Sequence, residues 1–400
     1  MAKYKMLDGN TAAVEAMKMA RIQVVSAYPI TPQSSIAEYL SEAVANGELD
    51  AEYIRVESEH TAMSCAIGAQ LTGVRTGTAT ASVGLALMHE VVGFASGCRV
   101  PIVMPVCNRS IGAPWSLWCD HSDAMAERDS GWLQFYCENV QDVYDSIIMA
   151  YRIAEHKDVL LPAMVCLDGF FLTHSMQKIS IPTQEEIDEF VGPYNVQNLI
   201  LDSENPMSVC NLTGTCDNEE IRYQQVIGFK NAEKVMDEVF EEFEKKFGRH
   251  KCAVEGYCLD DAEEVVVCMG SMAGTAKYTV DLLRAQGRKV GMVKVFSFRP
   301  FPAEKLRALL KGIKKIAIID RSCAFGAEGG PLWLETKAAV GGDAIFRSYV
   351  AGIAGRDVHT GIITKVFDDL ASAQQSSTSA NWIDCDTEHA MTMREVERYV

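Results

Sequence analysis

Three polar side chains of the N-terminal half have the chemistry of an enzyme site and follow strand-like segments. Thr31 belongs to the motif YPITP, Glu59 to ESEH and Arg109 to NRS. These residue types donate hydrogen bonds, exchange protons and bind anions. Because the carboxyl ends of parallel strands meet at one edge of a sheet, we predict that the hydroxyl, the carboxylate and the guanidinium lie at the same edge.

Each of these residues also has a structural explanation that the sequence leaves open. Thr31 would cap the next helix, with Pro32 in its first turn. Glu59 would complement the positive end of a helix. Arg109 would pair with a carboxylate of the loop that follows it, at Asp120, Asp123 or Asp129.

The loop after Arg109 adds aromatic and titratable candidates at the same edge. Trp115 and Trp118 lie in the stretch from Ala113 to Cys119, and His121 follows it. No base is arranged around Cys119, so we expect no thiol nucleophile there.

Strands alternate with helices over the first 175 residues. We predict strands at 22–27, 53–56, 76–80, 101–107 and 163–167. We predict helices at 10–20, capped by Asn10, and at 31–44, 59–71, 84–96 and 140–155. This alternation indicates βαβ units and a doubly wound parallel sheet.

The alternation of strands and helices weakens between residues 176 and 260, where polar segments precede one acidic helix, predicted at 231–247. A second α/β pattern follows, with strands at 265–269, 289–295 and 315–320 and helices at 275–286, 303–310 and 331–340. The polar end of the chain is expected on the surface or on a partner. We therefore predict four parts, at 1–230, 231–257 (a connecting helix), 258–375 (a smaller α/β domain) and 376–400 (the tail).

Composition excludes several classes of function. The 400 residues carry a net charge of −17, which argues against nucleic acid and anionic membranes as main partners. The 13 cysteines are scattered and form no Cys-x-x-Cys pair, as is typical of reduced thiols in a cytoplasmic protein, so we expect no metal or cluster on this chain. No apolar run approaches the length of a membrane span, and the N-terminus has no export signal.

Six motifs in order resemble the α subunit of the 2-oxoacid:ferredoxin oxidoreductases, the pyruvate:ferredoxin oxidoreductase family. They are YPITP, VESEH, GLALMHE, the pair PIVM and NRS, the pair DHSD and RDSGW, and FRPFP in the second domain. The resemblance covers nearly the whole chain apart from the connector and the tail. It implies a pyrimidine-type thiamine-diphosphate-binding fold for residues 1–230, followed by a transketolase C-terminal-like domain.

The resemblance also implies roles for the candidate residues. Glu59 would hold a ring nitrogen of the aminopyrimidine, Thr31 would donate to a substrate oxygen, and Arg109 would bind the substrate carboxylate. Further cofactor contacts would come from Tyr28, Pro29 and Ile30. Further substrate contacts would come from Trp115, Trp118 and His121.

The expected activity is oxidative decarboxylation of a 2-oxoacid with coenzyme A, giving an acyl-CoA and CO2, with electrons passed to ferredoxin. The sequence contains no Gly-Asp-Gly motif. The resemblance therefore implies that a β subunit holds the diphosphate and Mg²⁺, and that γ and ferredoxin-like δ subunits complete the complex with the iron–sulfur clusters. Pyruvate is the default substrate. Phenylglyoxylate and 2-oxoisovalerate stay open, as does a non-catalytic scaffold subunit.

Overall fold

The computed structural model describes residues 3–112, 114–195 and 201–392. The first strands are β1 (Lys3–Leu7), β2 (Val24–Ala27), β3 (Glu52–Arg55), β4 (Thr76–Gly77), β5 (Val103–Asn108), β6 (Leu133–Tyr136), β7 (Ala163–Asp168) and β8 (Gln177–Ile181). The helices of this half are α1 (Gly9–Met19), α2 (Ser34–Ala45), α3 (Glu59–Gln70), α4 (Ser82–Gly97), α5 (Ser122–Ala126), α6 (Val140–Ala154), α7 (Gln184–Val191) and α8 (Asn218–Phe247).

The second half begins after the long helix α8. Its strands are β9 (Val254–Tyr257), β10 (Glu264–Cys268), β11 (Val290–Val295), β12 (Ser297–Arg299), β13 (Lys315–Asp320), β14 (Ile345–Val350) and β15 (Asn381–Trp382). Its helices are α9 (Met272–Ala285), α10 (Ala303–Leu309), α11 (Pro331–Val340), α12 (Thr360–Ser372) and α13 (Thr387–Thr392).

Two largely parallel sheets organise these elements, which confirms the predicted α/β class. The first sheet has the order β12-β6-β7-β5-β4-β2-β3, and the second has the order β15-β14-β13-β10-β11-β9. Strands β1 and β8 form a separate antiparallel pair. The chain leaves β2 for β3 on one side and then returns to β4 on the other, so a crevice opens at this reversal of strand order.

The two halves share apolar contacts. One buried cluster contains Leu85 and Met104 from the first sheet region together with Val265, Val293 and Trp333 from the second. Strand β12 lies in the second half of the chain yet pairs antiparallel with β6 at the edge of the first sheet. A continuous core and a shared sheet edge therefore join the halves.

The structure corrects several predicted boundaries. Asp8, not Asn10, caps α1 by accepting from the Thr11 backbone N–H, and Asn10 is buried. Helix α2 begins at Ser34, three residues after the predicted cap Thr31, and Gln33 occupies the position before it. The strand predicted at 76–80 shortens to the two residues of β4.

The regions around the second domain also differ from the sequence pattern. Helix α8 begins 13 residues before the predicted start at 231, and its buried side chains pack on the first domain. The predicted tail is only partly peripheral, since β15 pairs with β14 and Ser377 is buried; residues 393–400 lie outside the described residues. In the described part of the chain, no helix combines the length and apolarity needed to cross a membrane.

Candidate functional site

Three of four neighbouring strands are followed by the predicted site residues Thr31, Glu59 and Arg109. Thr31 follows β2, Glu59 begins the helix after β3, and Arg109 directly follows β5. Strand β4 lies between β2 and β5, and its loop leads to Ser82 at the start of α4. The order β3-β2-β4-β5 therefore brings these residues to one edge, as the sequence predicts.

Arg109 is fixed by backbone oxygens rather than by a carboxylate. Its Nε donates to the Ser116 carbonyl at 2.8 Å, and its Nη1 donates to the Thr31 carbonyl at 2.9 Å. Its guanidinium lies 5.7 Å from the ring centre of Trp115. Within the described residues its side chain forms no ion pair, so the alternative of a pairing with a loop aspartate is not realised. The remaining guanidinium N–H groups have no hydrogen-bond partner among the described residues and can bind an anion.

Thr31 and Arg109 are thus brought together directly. The Thr31 carbonyl accepts a hydrogen bond from the Arg109 guanidinium. Thr31 itself is exposed, and its side chain does not cap α2. The alternative explanation of Thr31 as a helix cap is therefore wrong, which leaves its hydroxyl free for a ligand.

Glu59 is buried at the first turn of α3. The cap of this helix is Ser58, whose hydroxyl accepts from the Thr61 backbone N–H, and Glu59 occupies the first turn, where its charge also complements the positive end of the helix, as the structural explanation holds. Glu59 is 7% exposed. Across the described residues, no protein group hydrogen-bonds to or forms an ion pair with its carboxylate. A buried acid without a protein partner fits a ligand that supplies the missing donor.

Gly84 brings the backbone of α4 against this acid, and sequence reasoning assigned it no role. A Cβ placed on Gly84 would lie 2.7 Å from Oε1 of Glu59 and 2.8 Å from Oγ1 of Thr80. That Thr80 hydroxyl is buried without a partner among the described groups. The glycine in the motif GLALMHE was the available signal, because such close approach admits no side chain.

The predicted cofactor contacts lie on the loop after β2. Tyr28 and Pro29 are exposed and line a groove of about 410 Å³ beside Tyr53 and Arg55. Ile30 is half-buried and packs on the buried hydrophobic cluster of the first domain. Their loop is continuous with Thr31, so they lie beside the crevice, and their contact with a cofactor stays a prediction.

The tryptophans of the next loop have different surroundings. Trp115 is 74% exposed and lies over Arg109, whereas Trp118 packs against Phe170 with the ring centres 4.7 Å apart and the planes tilted by 50°. Ala113, the first residue of the predicted aromatic loop, lies outside the described residues. Cys119 is fully buried, and burial raises the pKa of its thiol well above its usual value, which agrees with the expectation that it is no nucleophile.

His121 lies in a buried cluster between the two sheets, with its ring directed at the end of β7. Its Nε2 lies 2.7 Å from Oδ1 of Asp168, whose Oδ2 accepts from Nη1 of Arg321 at 2.7 Å and from the Ser271 backbone N–H at 3.1 Å. Burial by itself raises the pKa of Asp168, but His121 and Arg321 hold it well below its usual value. The cluster joins the domains, and the substrate contact predicted for His121 stays a prediction.

No set of three or more potential ligands for a metal ion occurs in the part of the chain that the structure describes. The site instead offers one unpartnered carboxylate, one hydroxyl and one guanidinium. Such a set can bind an organic cofactor at its carboxylate and an anionic substrate at its guanidinium.

Family models match both halves of the chain. Residues 15–241 match the model described as pyruvate flavodoxin/ferredoxin oxidoreductase, thiamine diP-bdg, and residues 262–363 match pyruvate:ferredoxin oxidoreductase core domain II. The pyruvate synthase subunit PorA of Methanocaldococcus jannaschii is 47% identical over 94% of this chain and 97% of its own length. The ketoisovalerate oxidoreductase subunit VorA of Pyrococcus abyssi is 45% identical over 93% of this chain and 94% of its own length.

Solved structures share the fold at low identity. A 2-oxoglutarate:ferredoxin oxidoreductase from Magnetococcus marinus, with 2-oxoglutarate, coenzyme A and succinyl-CoA bound, gives a TM-score of 0.71 at 19% identity. That match covers 92% of this chain and 65% of the other. A split-gene transketolase gives a TM-score of 0.53 at 12% identity, covering 93% of this chain and 100% of the other.

Proposed function

Because this chain belongs to the pyruvate flavodoxin/ferredoxin oxidoreductase family, we propose that it is the α subunit of a thiamine-diphosphate-dependent 2-oxoacid oxidoreductase. The resemblance that the sequence motifs predict is thereby confirmed. The proposed complex decarboxylates a 2-oxoacid oxidatively with coenzyme A, giving an acyl-CoA and CO2, and passes the electrons to ferredoxin. The observation that carries the assignment is the buried Glu59 carboxylate, which has no hydrogen-bond partner among the described groups and lies at the same sheet edge as the Arg109 guanidinium.

Glu59 fits the aminopyrimidine of thiamine. When bound, the cofactor supplies a thiazolium carbon that acts as nucleophile and electron sink toward the 2-oxoacid carbonyl. Glu59 would accept a hydrogen bond from a protonated ring nitrogen, and a bound ring would exclude water from this charge-assisted bond and so strengthen it. Gly84 leaves the space in which the carboxylate stays close to the α4 backbone.

Arg109 and Thr31 fit the substrate. The Ser116 and Thr31 carbonyls hold two edges of the guanidinium, so its plane is set before a ligand arrives. A fixed fork binds the carboxylate of a 2-oxoacid with little further loss of side-chain freedom. The Thr31 hydroxyl would then donate to the keto or carboxylate oxygen, and Trp115 would cover one face of the guanidinium.

Other subunits would complete the site. We place the diphosphate and Mg²⁺ on a β subunit, and the iron–sulfur clusters on the β subunit and a ferredoxin-like δ subunit, with a γ subunit in the same complex. Support comes from the sequence, which has no Gly-Asp-Gly motif, and from relatives named as subunits. The exposed Tyr28, Pro29 and Trp115 at the crevice offer contact area to such a partner.

Pyruvate is the proposed substrate, and 2-oxoisovalerate is the second candidate. The relative named for pyruvate is 47% identical to this chain, and the relative named for ketoisovalerate is 45% identical, so sequence identity alone does not separate the two substrates. A panel of pyruvate, 2-oxoisovalerate, 2-oxoglutarate and phenylglyoxylate, with coenzyme A and a viologen acceptor, distinguishes them. We expect the highest kcat/KM for pyruvate; a higher value for 2-oxoisovalerate would transfer the assignment to the branched acid.

The substitution Glu59→Gln separates a catalytic subunit from a scaffold. It keeps the shape of the side chain but removes the charge, so we expect the complex to assemble with about 100-fold or more lower turnover. Glu57→Gln is the matched control, because Glu57 is exposed two residues away and accepts only from the Thr61 hydroxyl among the described groups. Unchanged turnover in the Glu59 variant would support a scaffold.

A further inference from the structure

Asp123 is a buried carboxylate that collects four N–H groups at the site. It lies on α5 and is 1% exposed. Its Oδ1 accepts from Nδ2 of Asn108 at 2.9 Å and from the Ala124 backbone N–H at 2.8 Å. Its Oδ2 accepts from the backbone N–H groups of Ser82 and Arg109, each at 2.9 Å. One oxygen therefore joins two segments that are 27 residues apart in the chain.

These two segments carry the opposite sides of the proposed site. Arg109 begins one of the segments, and its guanidinium would bind the substrate carboxylate in the proposed function. Ser82 begins α4 with φ of +50°, a conformation that needs outside support in a residue other than glycine. Two residues later comes Gly84, where a Cβ would lie 2.7 Å from Oε1 of Glu59. The carboxylate of Asp123 thus spans from the substrate side to the cofactor side.

The charge of Asp123 suits its four N–H donors. An ionised carboxylate only accepts hydrogen bonds, so all four N–H groups are satisfied at once. Burial raises the pKa of Asp123 to about 6, and the hydrogen bonds from Asn108, Arg109 and Ser82 oppose that rise. Burying a charged carboxylate costs free energy of desolvation. We infer that the placement of Asp123 offsets this cost by benefiting the site.

We propose that Asp123 is a positioning residue, which sets the separation between Arg109 and Glu59 by holding the backbone N–H groups of Arg109 and Ser82 on one oxygen. The inference rests on the proposed function of the two residues that it positions. Asp123 itself touches neither substrate nor cofactor in this assignment. Its loss moves the guanidinium relative to the acid, so that a 2-oxoacid bound at Arg109 is no longer aligned with a cofactor held at Glu59.

The test compares Asp123→Ala with Asp123→Asn in the assembled complex. Alanine leaves four buried N–H groups without an acceptor, whereas asparagine keeps one oxygen for Ser82 and Arg109. The new amide can then face Asn108, whose own Oδ1 is buried without a partner in the described structure and can be turned to accept from it. We expect KM for the 2-oxoacid to rise about 10- to 100-fold in the alanine variant and to stay within about threefold of wild type in the asparagine variant.

A second readout does not depend on turnover. Oxamate, an unreactive isostere of pyruvate, is titrated calorimetrically into the complex depleted of thiamine diphosphate. Its Kd should rise with the KM in the alanine variant, because the Arg109 backbone N–H loses its acceptor and the displaced guanidinium no longer fits the Thr31 and Ser116 carbonyls, with or without cofactor. The asparagine variant should retain the wild-type Kd within about threefold.

Asp320→Ala is the matched control for a merely structural effect. Asp320 is also a fully buried carboxylate and accepts two backbone N–H groups, those of Leu332 and Trp333, but it caps α11 in the second domain. We expect its truncation to lower the thermal unfolding midpoint as Asp123→Ala does, while KM and the oxamate Kd stay within about threefold of wild type.

Unchanged KM and oxamate affinity in Asp123→Ala, with a lowered unfolding midpoint, would overturn the inference. If that variant does not assemble, Asp123→Glu decides, because it keeps the charge but displaces the oxygen by one methylene: a raised KM supports the proposal and an unchanged KM refutes it. A wild-type complex inactive on every 2-oxoacid would refute the proposed function instead, so the two failures are distinguishable.

Discussion

Replacing Gly84 with alanine tests the geometry around Glu59 with one methyl group. The new Cβ would lie 2.7 Å from Oε1 of Glu59, 2.9 Å from its Cγ and 2.8 Å from Oγ1 of Thr80. Ordinary contact between such atoms needs about 3.5 Å, so the carboxylate must retreat by about 1 Å. A misplacement of that size costs about 100-fold in the rate of an enzyme reaction.

We therefore expect Gly84→Ala to lower kcat of the assembled complex about 100-fold while the chain still folds. The affinity for thiamine diphosphate should fall as well, because the acid that binds the ring has moved. Steady-state kinetics with a viologen acceptor measures the first effect, and fluorescence titration of the cofactor-free complex measures the second.

Gly93→Ala is the control on the same helix. A Cβ at Gly93 would meet no heavy atom of the described structure within 4 Å. Both substitutions gain about 1 kcal/mol of helix propensity, so this contribution cancels in the comparison. If kcat of Gly84→Ala equals that of Gly93→Ala, the contact between α4 and the acid does not matter for turnover and the placement of Glu59 is wrong.

Two further predictions concern the other charged residues. Arg109→Lys should raise KM for the 2-oxoacid about 10- to 100-fold with a smaller change in kcat, because an ammonium group lacks the fork that binds a carboxylate; an unchanged KM in steady-state assays would contradict the assigned role. Asp168→Asn should destabilise the chain at pH 7 by about 3 kcal/mol, because Arg321 is left buried without its partner. Since the folded-state pKa of Asp168 is lowered, its contribution is present above the unfolded pKa of about 3.9 and is lost as the pH falls below it. Urea unfolding at pH 7 and at pH 3 should show the difference from wild type narrowing in acid, and a constant difference would argue against the ion pair.

Local patterns in the sequence were sufficient for most elements. Helix α3 begins at Glu59 as predicted, because Ser58 supplies a side-chain cap and the apolar spacing follows directly. The prediction failed where a non-local partner decides the conformation. Strands β1 and β8 form their ladder only with each other, and the two residues of β4 are strand because β2 and β5 flank them.

The residue types of the site were evident from the sequence alone, and so were their positions at strand ends. Thr31, Glu59 and Arg109 follow strand-like segments, and short-range spacing is enough to place each one after its strand. Their chemistry belongs to the side chains themselves. The motifs that resemble a known family likewise need no folded chain to be recognised.

Only the tertiary structure decided which of these groups meet. It set Arg109 on the Thr31 carbonyl, brought Gly84 against Glu59 and gave Asp123 the N–H groups of two distant segments. It also placed the His121 ring in a hydrogen bond with Asp168, where the two sheets are in contact. Strand order and domain packing depend on burial between segments that are far apart in the chain. The hydrophobic periodicity of one segment does not show which other segment packs against it, so residue spacing could not reveal these contacts.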